Sequence, residues 1–147
     1  MRRALTIGAA ALIAGCASGH RYTEAPEKNF VVRAEVREAH AVLGVHAVDS
    51  KCNLTYEGYV DLEEAVTRVG IPPGRLSYLV FEFTTSSFWA GRRGSITRET
   101  LLRPRPGAVY DVRVTYKDDL YEVAIRETPR GGSAREVPLT GLAACRP

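Results

Sequence analysis

The sequence is poor in the residues that most often announce chemistry: 147 residues include three histidines, three cysteines, one tryptophan and one methionine. It has no Cys-x-x-Cys pair, no Gly-x-Ser-x-Gly elbow and no glycine-rich phosphate loop. These absences remove the usual zinc knuckle, hydrolase nucleophile and nucleotide cradle. A membrane-spanning helix needs about 20 apolar residues, and the leading apolar stretch, Ala4 to Ala14, has eleven.

That stretch follows Met1-Arg2-Arg3, a short basic start, and is almost entirely small or apolar. Basic start and short apolar run together read as an export signal. It ends in Leu12-Ile13-Ala14-Gly15-Cys16, which resembles the lipobox of bacterial lipoproteins, with Ile13 where leucine is commoner. The resemblance covers residues 1 to 16. It implies cleavage before Cys16, acylation of that cysteine, and the lipid bilayer as a partner. Two or three acyl chains, at ~0.8 kcal/mol per buried CH₂, hold a domain at a membrane essentially permanently. Ala17 and Ser18 follow, with no aspartate after the cysteine, and by the lipoprotein sorting rule this implies the outer membrane.

Loss of residues 1 to 15 leaves 132, enough for one domain. Arg2 and Arg3 leave with the signal, so 18 of the 20 basic residues remain against 17 acidic ones, a net charge of +1. Such a balance gives no general attraction to nucleic acid. With Cys16 acylated, Cys52 and Cys145 remain, and in an oxidising envelope an even pair forms a disulfide. It would close a loop of about 94 residues, with ~4 to 5 kcal/mol as the upper bound of the chain-entropy effect.

Residues 17 to 28, with His20, Thr23, Glu24, Pro26 and Glu27, lack apolar periodicity and read as a flexible tether. The domain expected after the lipidated tether at 16–28 therefore covers 29–147. Period-two alternation predicts strands over Phe30 to Arg37, Asn53 to Val60, Leu76 to Thr85 and Ser95 to Arg103. Ala41 to Val48 suits a buried strand or a helical piece, with Gly44 arguing against the helix. Leu62, Ala65, Val66 and Val69 stand at i, i+3, i+4 and i+7, so 61–69 predicts a short helix that Asp61 caps and Gly70 stops. Val109 to Glu127 is a hairpin turning at Lys117-Asp118-Asp119, and Arg135 to Leu139 offers a last edge strand. About seven short strands between Gly/Pro turns predict an all-β antiparallel sandwich or small barrel. The pattern resembles immunoglobulin-like or transthyretin-like sandwiches, an analogy of fold that implies no activity.

His40 and His46, six apart, fall on one face of a continuous strand with Asp49 beyond. Two imidazoles and a distant acid fall short of three or four converging ligands, and no metal or other cofactor is expected. The serines at 77, 86, 87, 95 and 133 have no His/Asp partner in sequence context. Glu63-Glu64 and Asp118-Asp119 suit a helix start and a turn better than acid and base work. Ser86 to Gly94 instead concentrates Phe88, Trp89, Arg92 and Arg93 in a loop bounded by glycine. Aromatics supply contact area and arginine supplies oriented donors, so this is the candidate binding loop. The expected function is that of a non-enzymatic binding or structural module whose partner is an envelope protein or glycan. The alternative is an inhibitor or small-ligand carrier that works through the loops at the sandwich end.

Overall fold

A computed structural model describes residues 19–87, 92–118 and 120–147. The described chain forms nine strands in the order β1 (Phe30–Val36), β2 (His40–Val48), β3 (Leu54–Asp61), β4 (Val66–Val69), β5 (Ser77–Ser87), β6 (Arg92–Leu102), β7 (Val109–Lys117), β8 (Leu120–Thr128) and β9 (Arg135–Val137). A single 3₁₀ turn follows at Leu142–Ala144. The strands make two sheets, ordered β4-β1-β7-β8-β9 and β3-β2-β5-β6. They pack face to face as a sandwich, and neither closes into a barrel.

Alternation decides which face each strand buries. Phe30 and Val32 of β1, Tyr110, Val112 and Val114 of β7, and Val123 and Ile125 of β8 point inward from the first sheet. Ala41, Leu43 and Val45 of β2 and Leu79, Phe81 and Phe83 of β5 meet them from the second. Phe30 stacks on Tyr110 at 4.8 Å between ring centres, and Phe83 stacks on Tyr116 at 5.8 Å. Each fully buried large side chain contributes about 1.5–3 kcal/mol through removal from water. Among the described residues no helix is long and apolar enough to cross a membrane.

Three features depart from expectation. The β1–β7 ladder is parallel, running from Phe30↔Tyr110 to Val36↔Tyr116, while the other ladders are antiparallel. The predicted helix over 61–69 does not form, since Val66–Val69 is strand β4 on the edge of β1. Leu62 and Val69 are buried while Ala65 and Val66 are exposed, so the four residues never share an inward face. β-branched Val66, Thr67 and Val69 lose χ1 freedom in a helix, and here they complete a ladder instead.

The third departure concerns residues 19–28, expected as a flexible tether, which are fastened to the sandwich. Tyr22 belongs to the core. Its amide donates to the Tyr59 carbonyl at 2.9 Å, the Tyr59 amide donates to the His20 carbonyl at 3.0 Å, and the Ala25 amide donates to Gly70 at 3.0 Å. Asn29 then locks the entry to β1, exchanging side-chain hydrogen bonds with the backbone of Ile71. Two glycines make room for this strip. Gly58, at φ 129°, leaves 2.7 Å between an added Cβ and the Tyr22 backbone, and Gly70 leaves 2.0 Å to the Ala25 oxygen. The packed unit thus includes residues that periodicity alone assigns to the tether.

Candidate functional site

The two ends of the β3-β2-β5-β6 sheet carry different chemistry. At one end the β5–β6 hairpin outruns its neighbour: β2 begins at His40, opposite Thr84, while β5 continues to Ser87. The hairpin remains paired to Ser86↔Arg93 and Ser87↔Arg92. Arg92 and Arg93 thus lie on the backbone of a projecting hairpin rather than in an open loop. Phe88 and Trp89, the aromatic half of the predicted site, lie outside the described residues, as do Cys16 and the expected export signal before it.

Beside that projecting end stands a group that sequence spacing did not pair. Ala41 and Leu62 are buried, and the Leu62 amide donates to the Ala41 carbonyl at 3.0 Å. Alternation therefore turns His40, Asp61 and Glu63 together onto the outer face. His40 Nε2 lies 3.4 Å from Asp61 Oδ1 and 3.5 Å from Glu63 Oε1. These separations match the ~3.4 Å edges of a tetrahedron with bonds of about 2.1 Å, so the three could approach a divalent cation. Arg21, 2.9 Å from Asp61 Oδ2, already supplies positive charge there. Glu63 serves here, not at a helix start. The signal that could have found the group is Asp61-Leu62-Glu63, two acids flanking one apolar residue.

His46 shares the outer face with His40, six residues away along β2 or about 20 Å. Its ring lies between Tyr56 at 5.1 Å and Tyr78 at 5.8 Å, an aromatic packing role. Asp49 does not join either histidine. Its carboxylate accepts from the Lys51 and Asn53 amides and from Asn53 Nδ2, which closes the β2–β3 turn and holds the carboxyl below its ordinary value. Ser77 is fully buried, and Ser95 donates to Glu82 across the β5–β6 ladder at 2.7 Å. Asp118 occupies the β7–β8 turn at φ 51°.

At the opposite end the predicted disulfide is formed. Cys52 and Cys145 are joined with Cα atoms 6.0 Å apart, 93 positions apart in the chain. Thr140 ties the C-terminal segment to β6 through a 2.7 Å bond from the Leu101 amide, and the segment crosses to Cys52 beside Glu99. Tyr78 is buried at this end. Burial and a hydrogen bond to Glu99 push its hydroxyl up to about 12.

A shallow cleft of about 340 Å³ lies along the fastened strip, lined by Tyr22, Thr23, Glu24, Ala25, Glu57, Pro72 and Arg75. Glu57 takes both terminal nitrogens of Arg75, at 2.8 and 2.6 Å. Burial, followed by the charge of Glu57, raises the Tyr22 hydroxyl, and Arg75 draws it part of the way back. The cleft is hence internally neutralised, with Glu24 paired to Lys28. Nothing at sequence level marks it, since its members are scattered from residue 22 to 75.

Comparison with protein-family profiles, with curated proteins and with solved structures gives no match to this chain.

Proposed function

We propose that the protein is a lipid-anchored module of the bacterial cell envelope, acylated on Cys16, seated in the outer membrane and acting by binding rather than by catalysis. The observation that carries the reading is the cysteine pairing. Cys52 joins Cys145, a bond that persists in oxidising compartments, and the remaining cysteine is the one that ends the export signal. The rigid sandwich then serves as a frame for the Phe88, Trp89, Arg92 and Arg93 stretch, offered to a protein or glycan of the envelope. The projecting β5–β6 hairpin supports this, because contact loops on a paired scaffold lose little order on binding.

Intact mass of the protein extracted from an envelope fraction tests the anchor. An increment for acyl chains at Cys16, lost together with membrane retention in C16S, is the expected result. A soluble product cut elsewhere overturns it. Alkylation of two thiols only after reduction accompanies the expected result.

A second reading, that of a small-ligand carrier or inhibitor, draws on the Glu57/Arg75 cleft, whose volume stands at the low end for ligand pockets, about 300 Å³. Under that reading E57Q and R75Q abolish ligand capture, while changes at Trp89 and Arg92 leave it intact.

A further inference from the structure

The N-terminal strip shows where an acylated Cys16 would hold the domain. Arg21 bridges to Tyr59 in parallel, so the chain upstream of Arg21 runs back along β3 toward Tyr56 and Leu54. Gly19 already lies over these rings: a Cβ on it would stand 3.3 Å from Tyr59 Cδ1 and 3.4 Å from the Tyr56 hydroxyl oxygen. His20 meets Tyr56 edge-on at 5.5 Å. Cys16 precedes Gly19 by three residues, and three fully extended residues reach about 11 Å at most. The acyl chains must therefore leave the domain within that distance of Gly19, which lies against Tyr56 and Tyr59 of β3.

The surface there suits an interface between water and lipid. Leu54 and Tyr56 are two of the exposed large hydrophobic residues of the described chain, at 37 % and 42 % exposure. Lys51 and Arg146, both exposed, flank the disulfide at the same end. Two acids share this end with Lys51 and Arg146: Asp49, whose carboxylate is held in the turn by Lys51 and Asn53, and Glu99, which is paired with the Tyr78 hydroxyl, so the surface is balanced in charge and its apolar residues lead the contact. Tyrosine is favoured where an apolar ring and a wet hydroxyl meet, and lysine and arginine reach headgroup phosphates from apolar stems. The Asp61 and Glu63 pair sits at the other end of the sheet, away from this surface.

We propose that the end carrying Leu54, Tyr56, Lys51 and Arg146 is a lipid-facing surface that beds into the headgroup layer when Cys16 is acylated, with the β5–β6 hairpin directed away from the bilayer. The inference rests on the acylated-anchor reading above. Ser77 of β5 pairs with Ala47 near the lipid-facing end and Ser87 closes the far end, ten residues or about 33 Å away. The sole tryptophan, Trp89, follows Ser87 by two residues and so reports on the far end.

The acylated full chain is reconstituted into vesicles of phosphatidylethanolamine and phosphatidylglycerol containing brominated lipid, and tryptophan fluorescence is compared between wild type and L54W/W89F. Bedded side chains sit about 5–10 Å into the boundary, so the tryptophan introduced by L54W is expected to be quenched at least about twice as strongly as Trp89 in wild type. Y56W/W89F repeats the measurement should L54W misfold. Mass spectrometry on the same vesicles separates the two claims. Acylated protein with equal quenching at both ends overturns the orientation and leaves the anchor standing, whereas protein without acyl mass overturns the anchor and the orientation together.

Discussion

Gly70 lies so close beneath Ala25 that a methyl group on its Cα would stand 2.0 Å from the Ala25 carbonyl oxygen. The two residues are also hydrogen-bonded, Ala25 N to Gly70 O at 3.0 Å, and the Gly70 amide reaches Glu24 at 3.1 Å. Glycine here gives close approach of two backbones, which fastens the N-terminal strip to the end of β4. G70A must push the strip off or distort β4, a cost of about 1–3 kcal/mol. Trypsin should then cut after Arg21 or Lys28 markedly faster than in wild type, while the β7–β8 hairpin resists. Unchanged cleavage would show that the strip is held by other contacts.

The Cys52–Cys145 bond closes 93 positions of chain, so its removal frees the unfolded state most of all. The double variant C52A/C145A is expected to lose up to ~4 to 5 kcal/mol, read from the urea midpoint at constant slope. The C-terminal segment should also exchange its amide hydrogens faster, beginning with the Leu101 to Thr140 bond. A midpoint that hardly moves would mean that Thr140 and the 3₁₀ turn hold this end without the bridge.

Glu127 predicts the acid limit of stability. It is 4 % exposed on the inner face of β8. Burial raises its carboxyl, yet the hydrogen bonds from Arg135 and Tyr110 and the charge of Arg105 outweigh that and hold it below its ordinary 4.5. Arg135 reaches Oε2 through Nε at 2.8 Å and through Nη2 at 2.6 Å. A carboxyl depressed by folding adds stability that is fully present above the unfolded value and is lost as the pH falls through the folded one. Stability should thus fall below about pH 4.5, and E127Q should flatten that limb. At pH 7 the same variant is expected to cost about 1.5–3 kcal/mol, the size of a charged hydrogen bond. An unchanged acid limb in E127Q would assign it to other carboxylates.

Strand periodicity was legible wherever one face is wet and one dry, as in β1, β5 and the β7–β8 hairpin, because alternation is a local property. The helix over 61–69 misled because Leu62, Ala65, Val66 and Val69 fit a helical stripe by spacing alone, while the deciding partner is β1, where Arg33 pairs with Val66 and Phe30 with Val69, far earlier in the chain. The parallel β1–β7 ladder is likewise long-range and leaves no local mark. The disulfide followed from cysteine count, but the pairing of Tyr78 with Glu99 at the same end did not. His40, Asp61 and Glu63 meet only because Ala41 and Leu62 pair across two strands. The fastened strip had a faint signal in Gly58 and Gly70, yet a glycine that admits a neighbouring backbone looks in sequence like any turn glycine.

Substitution of the 88–93 stretch separates frame from contact surface. The backbone of Arg92 and Arg93 extends a paired hairpin beyond Thr84, the residue opposite His40 where β2 begins. W89A/R92A/R93A is expected to keep the thermal midpoint, since surface changes usually stay within about 0.5 kcal/mol each. Cross-linking of the acylated protein in intact envelopes should nevertheless lose the adducts formed by wild type. Buried aromatic and arginine anchors typically carry about 2 kcal/mol or more of a binding energy, enough to weaken an interface more than tenfold. If the triple variant instead unfolds, the stretch belongs to the frame. If it remains folded and keeps its adducts, contact lies elsewhere, with the Glu57/Arg75 cleft next in order because Glu57 and Arg75 hold each other in place there.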